Sequence, residues 1–388
     1  MTYDHPTAYD PDPAGPGKEV AVQHPADPSL LAGFTVAVIS HRRRHRLADL
    51  LEGHGARIVS VQGVRAVPQP DRAAITRATT EVLAGPVDDV LAASAGGIRA
   101  WLQAVPDPER LLRVLRTARL LAADARAADA LRGFGLRDIL STTAGSADEL
   151  FRHLLTHAPA GRHVVAQLDA PVQAEACETL RHRGAAVVEV PTFRSEPPND
   201  VVGLRRAVEL ISRRQLDAVA WLDPLSTGHV LRFAADHGRL PALTDQLGTH
   251  VVTVSRGPLA AGVLRRHGVA PSVPPLPFDE ETAALLARSV LDRAVHATVG
   301  ALTLEVRGHA ILLDGRLYPV QQGPVDVLRA LARAPGDVLS SADLRQQVPG
   351  LTNVDDHAIE MAVSRLRRSV PGVELIHTVI KRGYRLAV

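Results

Sequence analysis

Three segments of this chain recur in the same order at a nearly constant distance, and this recurrence constrains the fold more than any other feature. Residue 36, in the apolar run Phe34–Ile39, corresponds to residue 164 in Val164–Leu168. Residues 88 and 217 begin a second pair and residues 120 and 251 lie in a third, so the offsets are 128, 129 and 131 residues. Three ordered matches indicate an internal duplication, with a unit longer than a solenoid repeat.

Each unit begins with the same local pattern. An apolar run is followed by a helix, a glycine and a second strand, which is Arg57–Val61 in the first unit and Val187–Val190 in the second. Strand–helix–strand units favour a parallel sheet. We therefore predict an α/β fold in which residues 33–290 form two similar parallel-sheet lobes that face each other across a cleft, where ligands commonly bind.

Composition and the periodicity of apolar residues divide the chain into three regions. Residues 1–31 are rich in Pro, Asp, Gly and Ala and lack periodicity, so we expect a disordered tail. The bilobed domain is predicted for residues 32–292 and a C-terminal domain for residues 298–388. The chain has one cysteine, Cys177, no long apolar run and no secretion signal at its start. We therefore expect a cytoplasmic protein without a membrane segment, a disulfide or a metal site.

The C-terminal region has the element order of a winged helix-turn-helix. Strands predicted at Leu302–Val306 and Ala310–Leu313 precede a helix at Val325–Arg333 and a short helix from about Ser341. A longer helix at about Asp355–Val370 and two strands within Glu374–Val388 complete this order.

The longer helix has one buried face and one basic face. Its apolar stripe contains Ile359, Val363, Leu366 and Val370, while the other side carries His357, Met361, Ser364, Arg365 and Arg368, with Arg367 nearer the boundary. Arginine can take both acceptors of guanine in the major groove, although a solvated helix of any small domain has the same pattern. The predicted hairpin adds Lys381, Arg382 and Arg385, which suit phosphate or minor-groove contact.

These residues carry a family resemblance. Residues 300–388 resemble the winged-helix output domain of OmpR/PhoB-type response regulators in Pro335–Leu344, Ile359–Arg368, Thr378-Val379 and Gly383–Leu386. The resemblance implies that the helix binds double-stranded DNA through Arg365 and Arg367, with Ser364 and His357 at neighbouring contact positions. The hairpin departs from the family because Ile380-Lys381 follows Thr378-Val379 where Arg-Gly is usual.

The upstream region does not fit a phosphorelay receiver, because residues 19–380 contain no lysine. It resembles uroporphyrinogen-III synthase, which closes hydroxymethylbilane with inversion of the last ring, in Val36–Arg42, Gly55–Val59, Ala93–Trp101 and Glu189–Arg194. This resemblance implies two α/β lobes joined by a two-stranded linker, a tetrapyrrole bound between them, and no metal or organic cofactor.

Candidate cleft residues follow from these matches. The segment from His41 to Arg46 opens a helix and suits an anionic ligand or a solvated helix start. Ser94–Gly97 either offers backbone N–H groups to a carboxylate or uses its small residues for a tight turn. We expect the ligand to be small and anionic or tetrapyrrole-like. The candidate ligand-binding residues are Ser40, Arg42, Ser94, Gly96, Gly97, Arg194, Ser226, Thr227 and Ser255.

Departures from the synthase pattern leave the activity open. Phe193 stands where the family often has a tyrosine, and it cannot donate a proton. Leu222-Asp223-Pro224 replaces the usual Thr-Ser, so we expect Pro224 to remove an N–H and Asp223 to repel substrate carboxylates. The threonines typical of the family are also missing, since Ala125 or Ala127 lies near the first of their sites and Leu259-Ala260-Ala261 near the second.

Three functions therefore remain. The first is a transcription regulator with a ligand-sensing or partner-binding domain, and the second is an active synthase with an accessory winged helix. The third is a winged helix that binds protein and not DNA. The domain combination resembles actinobacterial regulators of nitrate and nitrite assimilation. A co-regulator protein is expected as a further partner. A homodimer is also expected, because one winged helix with few basic contacts has limited DNA affinity.

Overall fold

A computed structural model describes residues 29–42, 45–67, 71–142, 146–157, 159–198, 200–348, 351 and 354–388. Most of the predicted tail lies outside these residues, as do Arg43 and Arg44 of the basic segment. Leu31, assigned to the tail from the sequence, is fully buried and packs in the core of the first lobe. The folded unit therefore begins before residue 32.

The two repeats have the same order of elements. The first contains β1 (Thr35–Ser40), α1 (Arg46–Gly53), β2 (Arg57–Gln62), β3 (Arg65–Val67), α2 (Arg72–Ala84), β4 (Asp89–Ala92), α3 (Ala95–Ala104), α4 (Pro108–Leu115), β5 (Arg119–Ala122), α5 (Ala125–Gly133), β6 (Ile139–Ser141) and α6 (Ala147–Thr156). The second contains β7 (His163–Leu168), α7 (Gln173–His182), β8 (Ala186–Pro191), β9 (Arg194–Glu196), α8 (Val202–Ser212), β10 (Ala218–Trp221), α9 (Pro224–Asp236), α10 (Leu240–Thr249), β11 (Val252–Ser255), α11 (Pro258–Arg265) and α12 (Asp279–Leu291). A single bridge between Val254 and Ser272 stands where the first repeat has β6.

The lobes do not coincide with the repeats, because each sheet takes strands from both. Lobe A has a parallel sheet in the order β11-β10-β1-β2, and lobe B has a parallel sheet in the order β6-β5-β4-β7-β8. Between the lobes, β3 pairs antiparallel with β9, Arg65 standing opposite Glu196. The predicted two-lobed α/β class is confirmed, whereas this exchange of halves was not visible in the sequence.

Helices cover both faces of each sheet, which explains the continuous apolar strands. In lobe A, α1 and α12 pack on one face and α8 to α11 on the other. In lobe B, α6 and α7 pack on one face and α2 to α5 on the other. Trp101 and Trp221 are fully buried in lobes B and A, and the indole N–H of Trp101 donates to Thr79 Oγ1 at 2.9 Å.

The C-terminal domain is a winged helix with its own core. It contains β12 (Val295–Val299), β13 (Leu302–Val306), β14 (Ala310–Leu313), β15 (Arg316–Pro319), α13 (Gln322–Arg333), α14 (Ser341–Gln347), α15 (Asp356–Ser369), β16 (Ile376–Val379) and β17 (Gly383–Leu386). Strands β13 and β14 coincide with the prediction, but β12 begins three residues before the expected boundary at 298 and, like β15, was not predicted. None of the helices in the described part of the chain is long and apolar enough to cross a bilayer.

Candidate ligand cleft and DNA-binding surface

A cavity of about 640 Å³ lies between the lobes beside the β3–β9 linker. Lobe A contributes His41, Arg42 and Gln62 at the ends of β1 and β2. Lobe B contributes the start of α3 and the ends of β7 and β8, through Ser94, Gly96, Gly97, Asp169, Thr192 and Phe193. The structure thus brings together Arg42, Ser94, Gly96 and Gly97 from the candidate cleft residues, and it places Phe193 at the same wall. The volume is in the range of small-molecule sites.

The first turn of α3 is held against the strand ends by a chain of hydrogen bonds. Ser94 Oγ accepts from the Gly97 N–H at 3.1 Å, and Gln167 Oε1 accepts from the Ser94 N–H at 3.0 Å. Gln167 Nε2 in turn donates to Thr192 Oγ1 at 2.8 Å. A Cβ at position 97 would lie 2.1 Å from Gln167 Nε2, so only glycine fits there.

In the corresponding turn of lobe A the glycine and the larger residue have exchanged places. Ser226 of α9 occupies the position equivalent to Gly97, and a glycine, Gly63, stands opposite it where lobe B has Thr192. A Cβ on Gly63 would lie 2.6 Å from Ser226 Cα, so the chain packs directly over this helix start. The two turns are therefore inequivalent, and only the one in lobe B reaches the cavity.

The remaining candidate cleft residues do not line the cavity. Ser40, Ser226, Thr227 and Ser255 are fully buried. Ser40 Oγ donates to the Arg42 carbonyl at 2.6 Å, Ser255 Oγ to the Gly257 carbonyl at 2.8 Å, and Thr227 Oγ1 to the Asp223 carbonyl at 2.7 Å. Arg194 is exposed and pairs with Glu196 at 2.6 Å. These side chains form hydrogen bonds or an ion pair with other protein groups, or are buried, and none of them touches the cavity.

His41 is a cavity residue that the candidate set omitted. Its side chain is 4% exposed, and neither ring nitrogen has a hydrogen-bond partner within the described residues. Burial, followed by the charge of Arg42, lowers the pKa of His41 to about 3, so the ring is neutral at physiological pH. A neutral imidazole with two free positions can donate one hydrogen bond to a ligand and accept another.

Protein carboxylates occupy three of the helix N-termini that follow strands of the two parallel sheets. Asp124 Oδ1 accepts from the Ala127 N–H of α5 at 2.6 Å, and Asp223 Oδ1 from the Ser226 N–H of α9 at 2.7 Å. Glu175 accepts from the Leu259 and Ala260 N–H groups of α11 at 2.8 and 2.7 Å. The expectation that Asp223 repels substrate is wrong, because this side chain is fully buried as a helix cap. These caps remove N–H groups that would otherwise bind anions.

Charged contacts also hold the lobes together. Arg256, 2% exposed, donates to Asp279 Oδ1 at 2.6 Å within lobe A and to Asp148 Oδ2 at 2.7 Å on α6 of lobe B. Arg152 of α6 pairs with Glu280 and Glu281 of α12 and lies 4.2 Å above the Phe278 ring.

Two of the carboxyls in this interlobe cluster have raised pKa values. Burial raises the pKa of Glu175 to about 7, although the two N–H donors oppose the shift. Burial also outweighs the attraction of Arg256 and raises the pKa of Asp279 to about 6. Both groups therefore titrate close to neutral pH.

The basic face of α15 is open to solvent. Asp355 caps the helix by accepting from the Ala358 N–H at 2.9 Å, and Ile359, Val363 and Leu366 are buried on the inner side. The outer side presents five exposed candidate residues, His357, Met361, Ser364, Arg365 and Arg368. Arg365 forms no ion pair within the described part of the chain, so its guanidinium is available to a partner.

Arg367 has a different position from Arg365. Its Nη2 donates to the Ile376 carbonyl at 2.8 Å and to Thr378 Oγ1 at 2.9 Å, which ties α15 to the hairpin. Lys381 has a left-handed backbone, with φ of 59°, at the hairpin turn, and Lys381, Arg382 and Arg385 are all exposed. The hairpin is fixed to the α13–α14 connection because Leu339 and Tyr384 exchange backbone hydrogen bonds of 2.8 and 2.9 Å.

The chain combines two kinds of domain. Two α/β lobes that share strands from both repeats, with a cavity beside their linker, form a domain of the tetrapyrrole-synthase type. The C-terminal winged helix is a DNA-binding regulator domain. Residues 45–283, more than half of the chain, match the family Uroporphyrinogen-III synthase HemD, and the chain belongs to that family. Residues 318–386 match the family Transcriptional regulatory protein, C terminal. The predicted pairing of these two domains is confirmed.

Individual relatives match one domain or the other. An uncharacterized protein YjjA of Bacillus subtilis is 22% identical over 161 residues, 42% of this chain and 59% of its own length. The response regulator protein PmrA of Pseudomonas aeruginosa is 35% identical over 114 residues, 28% of this chain and 51% of its own length. The chain thus spans less than two thirds of either relative. Uroporphyrinogen III synthase of Thermus thermophilus aligns with 67% of this chain and 99% of its own, at 26% identity and a TM-score of 0.34.

Proposed function

We propose that this protein is a cytoplasmic transcription regulator that binds double-stranded DNA through α15 and the β16–β17 hairpin, and that its HemD-type domain senses a ligand or meets a partner protein. The observation that carries this proposal is the open basic face of α15, on which Arg365 has no ion-pair partner among the described residues. An arginine free of internal partners can form a bidentate contact with a guanine edge. Lys381 and Arg382 at the hairpin turn suit phosphate or minor-groove contact.

The cleft supports binding more than catalysis. The family reaction requires a flexible substrate with carboxylate side chains to be held and its last ring inverted, which depends on positioning and acid assistance. The N-termini of α5, α9 and α11, which do not line the cavity, are capped by Asp124, Asp223 and Glu175. Phe193 supplies no proton, and the Arg256 and Glu175 contacts bridge the lobes.

The ligand that fits the cavity is small and anionic or tetrapyrrole-like. Arg42 supplies a positive charge, the capped turn of α3 supplies polar backbone, and His41 supplies an unpartnered donor and acceptor. The resemblance to nitrate and nitrite assimilation regulators makes promoters of nitrogen assimilation the first targets to test. A co-regulator protein and a homodimer remain part of the proposal, since both would add contacts to a winged helix of limited affinity.

The test is binding of the full-length protein to its own upstream DNA over a salt series. Arg365→Ala should weaken specific binding by about 1–3 kcal/mol, roughly 5- to 150-fold, and relax discrimination at one base pair. Lys381→Ala should weaken binding to all sequences and reduce the salt slope by about 1.

Arg113→Ala, on the exposed side of α4 in lobe B, is the matched control and should change neither quantity. Equal binding of specific and competitor DNA, or unchanged affinity and specificity in Arg365→Ala, would remove α15 as the DNA-reading helix. The protein-interaction function would then be favoured.

An active synthase is the second candidate, because the cavity beside the linker is retained and holds a neutral imidazole at His41. Its test is turnover of hydroxymethylbilane by the purified full-length protein. Cyclisation with ring inversion at a rate above the spontaneous reaction would establish the enzyme, and its absence would leave the binding function.

A further inference from the structure

A second cavity, of about 550 Å³, lies where lobe A meets the winged-helix domain. Its lobe A wall is formed by the residues before β10 and β11 and by the end of α12. Its other wall is formed by the β13–β14 turn and by α13 of the winged helix. This cavity is separate from the cleft between lobes A and B, and an occupant would touch both domains.

Direct contacts around the cavity fix its two walls. The His309 N–H donates to the Gly33 carbonyl at 2.8 Å, and Gln322 Nε2 donates to the Arg214 carbonyl. Arg307, 6% exposed, donates from Nη1 to the carbonyls of Ser29 and Ala32 at 2.8 and 2.9 Å. Hydrogen bonds between lobe A and the winged helix therefore hold the two walls of the cavity together.

Arginine dominates the lining of this cavity. Five arginines border it: Arg214, Arg293, Arg307, Arg329 and Arg333. Two of them are neutralised, Arg307 by Glu305 at 2.8 Å and Arg329 by Asp326. The other three form no ion pair within the described part of the chain.

The strongest indication of a missing partner is at Arg214. Its Nε is buried and has no hydrogen-bond acceptor among the described residues. Burial lowers the pKa of Arg214 and the charge of Arg329 adds to this effect, while Asp326 opposes it. Burial and then Arg214 lower the pKa of His250, which also borders the cavity. A buried guanidinium donor without an acceptor costs stability until an acceptor reaches it.

The carboxylates of the lining do not cancel this charge. Asp326 is engaged by Arg329, and Asp217 accepts from the Thr35 N–H at 2.7 Å while burial raises its pKa. Asp292 is exposed at the rim. Three guanidinium groups without a carboxylate partner thus remain for an anion, although Arg293 already donates from Nη1 to the His250 carbonyl at 2.7 Å. The planar guanidinium fork matches both phosphate and carboxylate oxygens.

We propose that this cavity binds a small polyanion carrying phosphate or carboxylate groups, held by Arg214 and Arg293 of lobe A and Arg333 of the winged helix. The ligand contacts both domains, which direct hydrogen bonds already join beside the cavity. This site is independent of any ligand in the cleft between lobes A and B.

Calorimetric titration of the full-length protein tests the site, with inorganic pyrophosphate in one arm and citrate in the other, at constant ionic strength. We expect saturable binding of one equivalent in at least one arm, and the tighter arm identifies the phosphate or the carboxylate class. Absence of saturable binding in both arms would overturn the proposal.

The variant pair Arg214→Asn with Arg293→Gln should weaken binding at least about tenfold, since hydrogen bonds from two charged groups to the anion are lost. Asparagine is chosen because Arg214 has a left-handed backbone, with φ of 58°, which asparagine tolerates. The control pair Arg213→Gln with Arg266→Gln removes the same charge from exposed positions and should bind as the wild type does.

Equal loss in the control pair would indicate diffuse attraction and overturn the site. If the Arg214 pair does not fold, Arg333→Gln, an exposed change on α13, replaces it. Binding that is unchanged in Arg333→Gln would contradict the bridging geometry, and a several-fold loss would support it.

Discussion

The cleft between the lobes and the outer face of α15 use charge in opposite ways. In the cleft region the buried cation Arg256 is matched by Asp148 and Asp279, and the start of α11 is matched by Glu175. On α15, Arg365 is exposed and forms no ion pair within the described residues. A charge that already has an internal partner contributes little to a ligand. The difference is that the charges between the lobes are matched within the protein, whereas the charge of Arg365 on α15 is not matched within the described residues.

The largest effect on stability is expected when the ion pairs of Arg256 with Asp148 and Asp279 are removed. Arg256→Met leaves Asp148 and Asp279 without their cation and should lower the free energy of unfolding by about 3–5 kcal/mol. Urea unfolding followed by tryptophan fluorescence reports this domain alone, because Trp101 and Trp221 are the only tryptophans. Arg288→Met, on the exposed side of α12, should change stability by less than about 0.5 kcal/mol. A similar small loss for Arg256→Met would mean that the lobes do not depend on this contact.

The next largest effect is the pH dependence of stability that Glu175 contributes, and its sign follows from the pKa of about 7. Because the pKa is raised on folding from about 4.5, the folded state binds more protons between these values and the Glu175 contribution to stability falls as pH rises. The lowered pKa values of His41 and His45 act in the opposite direction below about pH 6.5.

Glu175→Gln removes this pH-dependent contribution, and it also takes the acceptor from one of the two N–H groups of α11, which adds a loss that does not vary with pH. The stability of this variant relative to the wild type should therefore increase between pH 4.5 and pH 7, by at most about 1.4 kcal/mol per pH unit. Urea unfolding at several pH values measures this difference, with Glu52→Gln on the exposed side of α1 as the control. A constant difference across the range would show that Glu175 does not titrate there.

Within α15, Arg367 differs from Arg365 because it is bonded to the hairpin, and this difference can be tested. Its contacts with Ile376 and Thr378 predict that Arg367→Ala loosens the hairpin by about 1–2 kcal/mol. Hydrogen exchange of the β16 and β17 amides should accelerate, with a smaller loss of DNA affinity than in Arg365→Ala. Arg368→Ala removes only a 3.4 Å contact with the Ser364 carbonyl and should leave exchange unchanged. Unchanged exchange together with lost DNA binding in Arg367→Ala would make Arg367 a direct contact.

The smallest effect is expected at Phe193. Phe193→Tyr restores a phenol at the cavity wall, but the carboxylate caps and the lobe contacts remain. We expect no hydroxymethylbilane turnover above the spontaneous rate and a stability change within about 0.5 kcal/mol. Turnover in this variant would show that one hydroxyl separates the protein from an enzyme.

The sequence predicted elements better than it predicted contacts. The offset near 130 residues and the alternation of strands and helices were sufficient for the α/β class, since periodicity is a local property. The assignment of Ser226 to the cleft failed because Gly63 packs over the start of α9, and this contact joins positions more than 160 residues apart. Glu175 and Arg256 were missed for the same reason, because their partners are 84 and 108 residues away.

The exchange of halves between the repeats has a consequence for synthesis on the ribosome. The sheet of lobe B is complete once residue 191 has emerged, whereas β1 and β2 of lobe A must wait for β10 and β11, which end at Ser255. Lobe B is inserted within lobe A in the sequence, so it can fold first, while the apolar strand β1 lacks its partner β10 until the rest of lobe A has been synthesised. Slowed translation between residues 191 and 255 should therefore increase aggregation of the nascent chain more than slowing after residue 255.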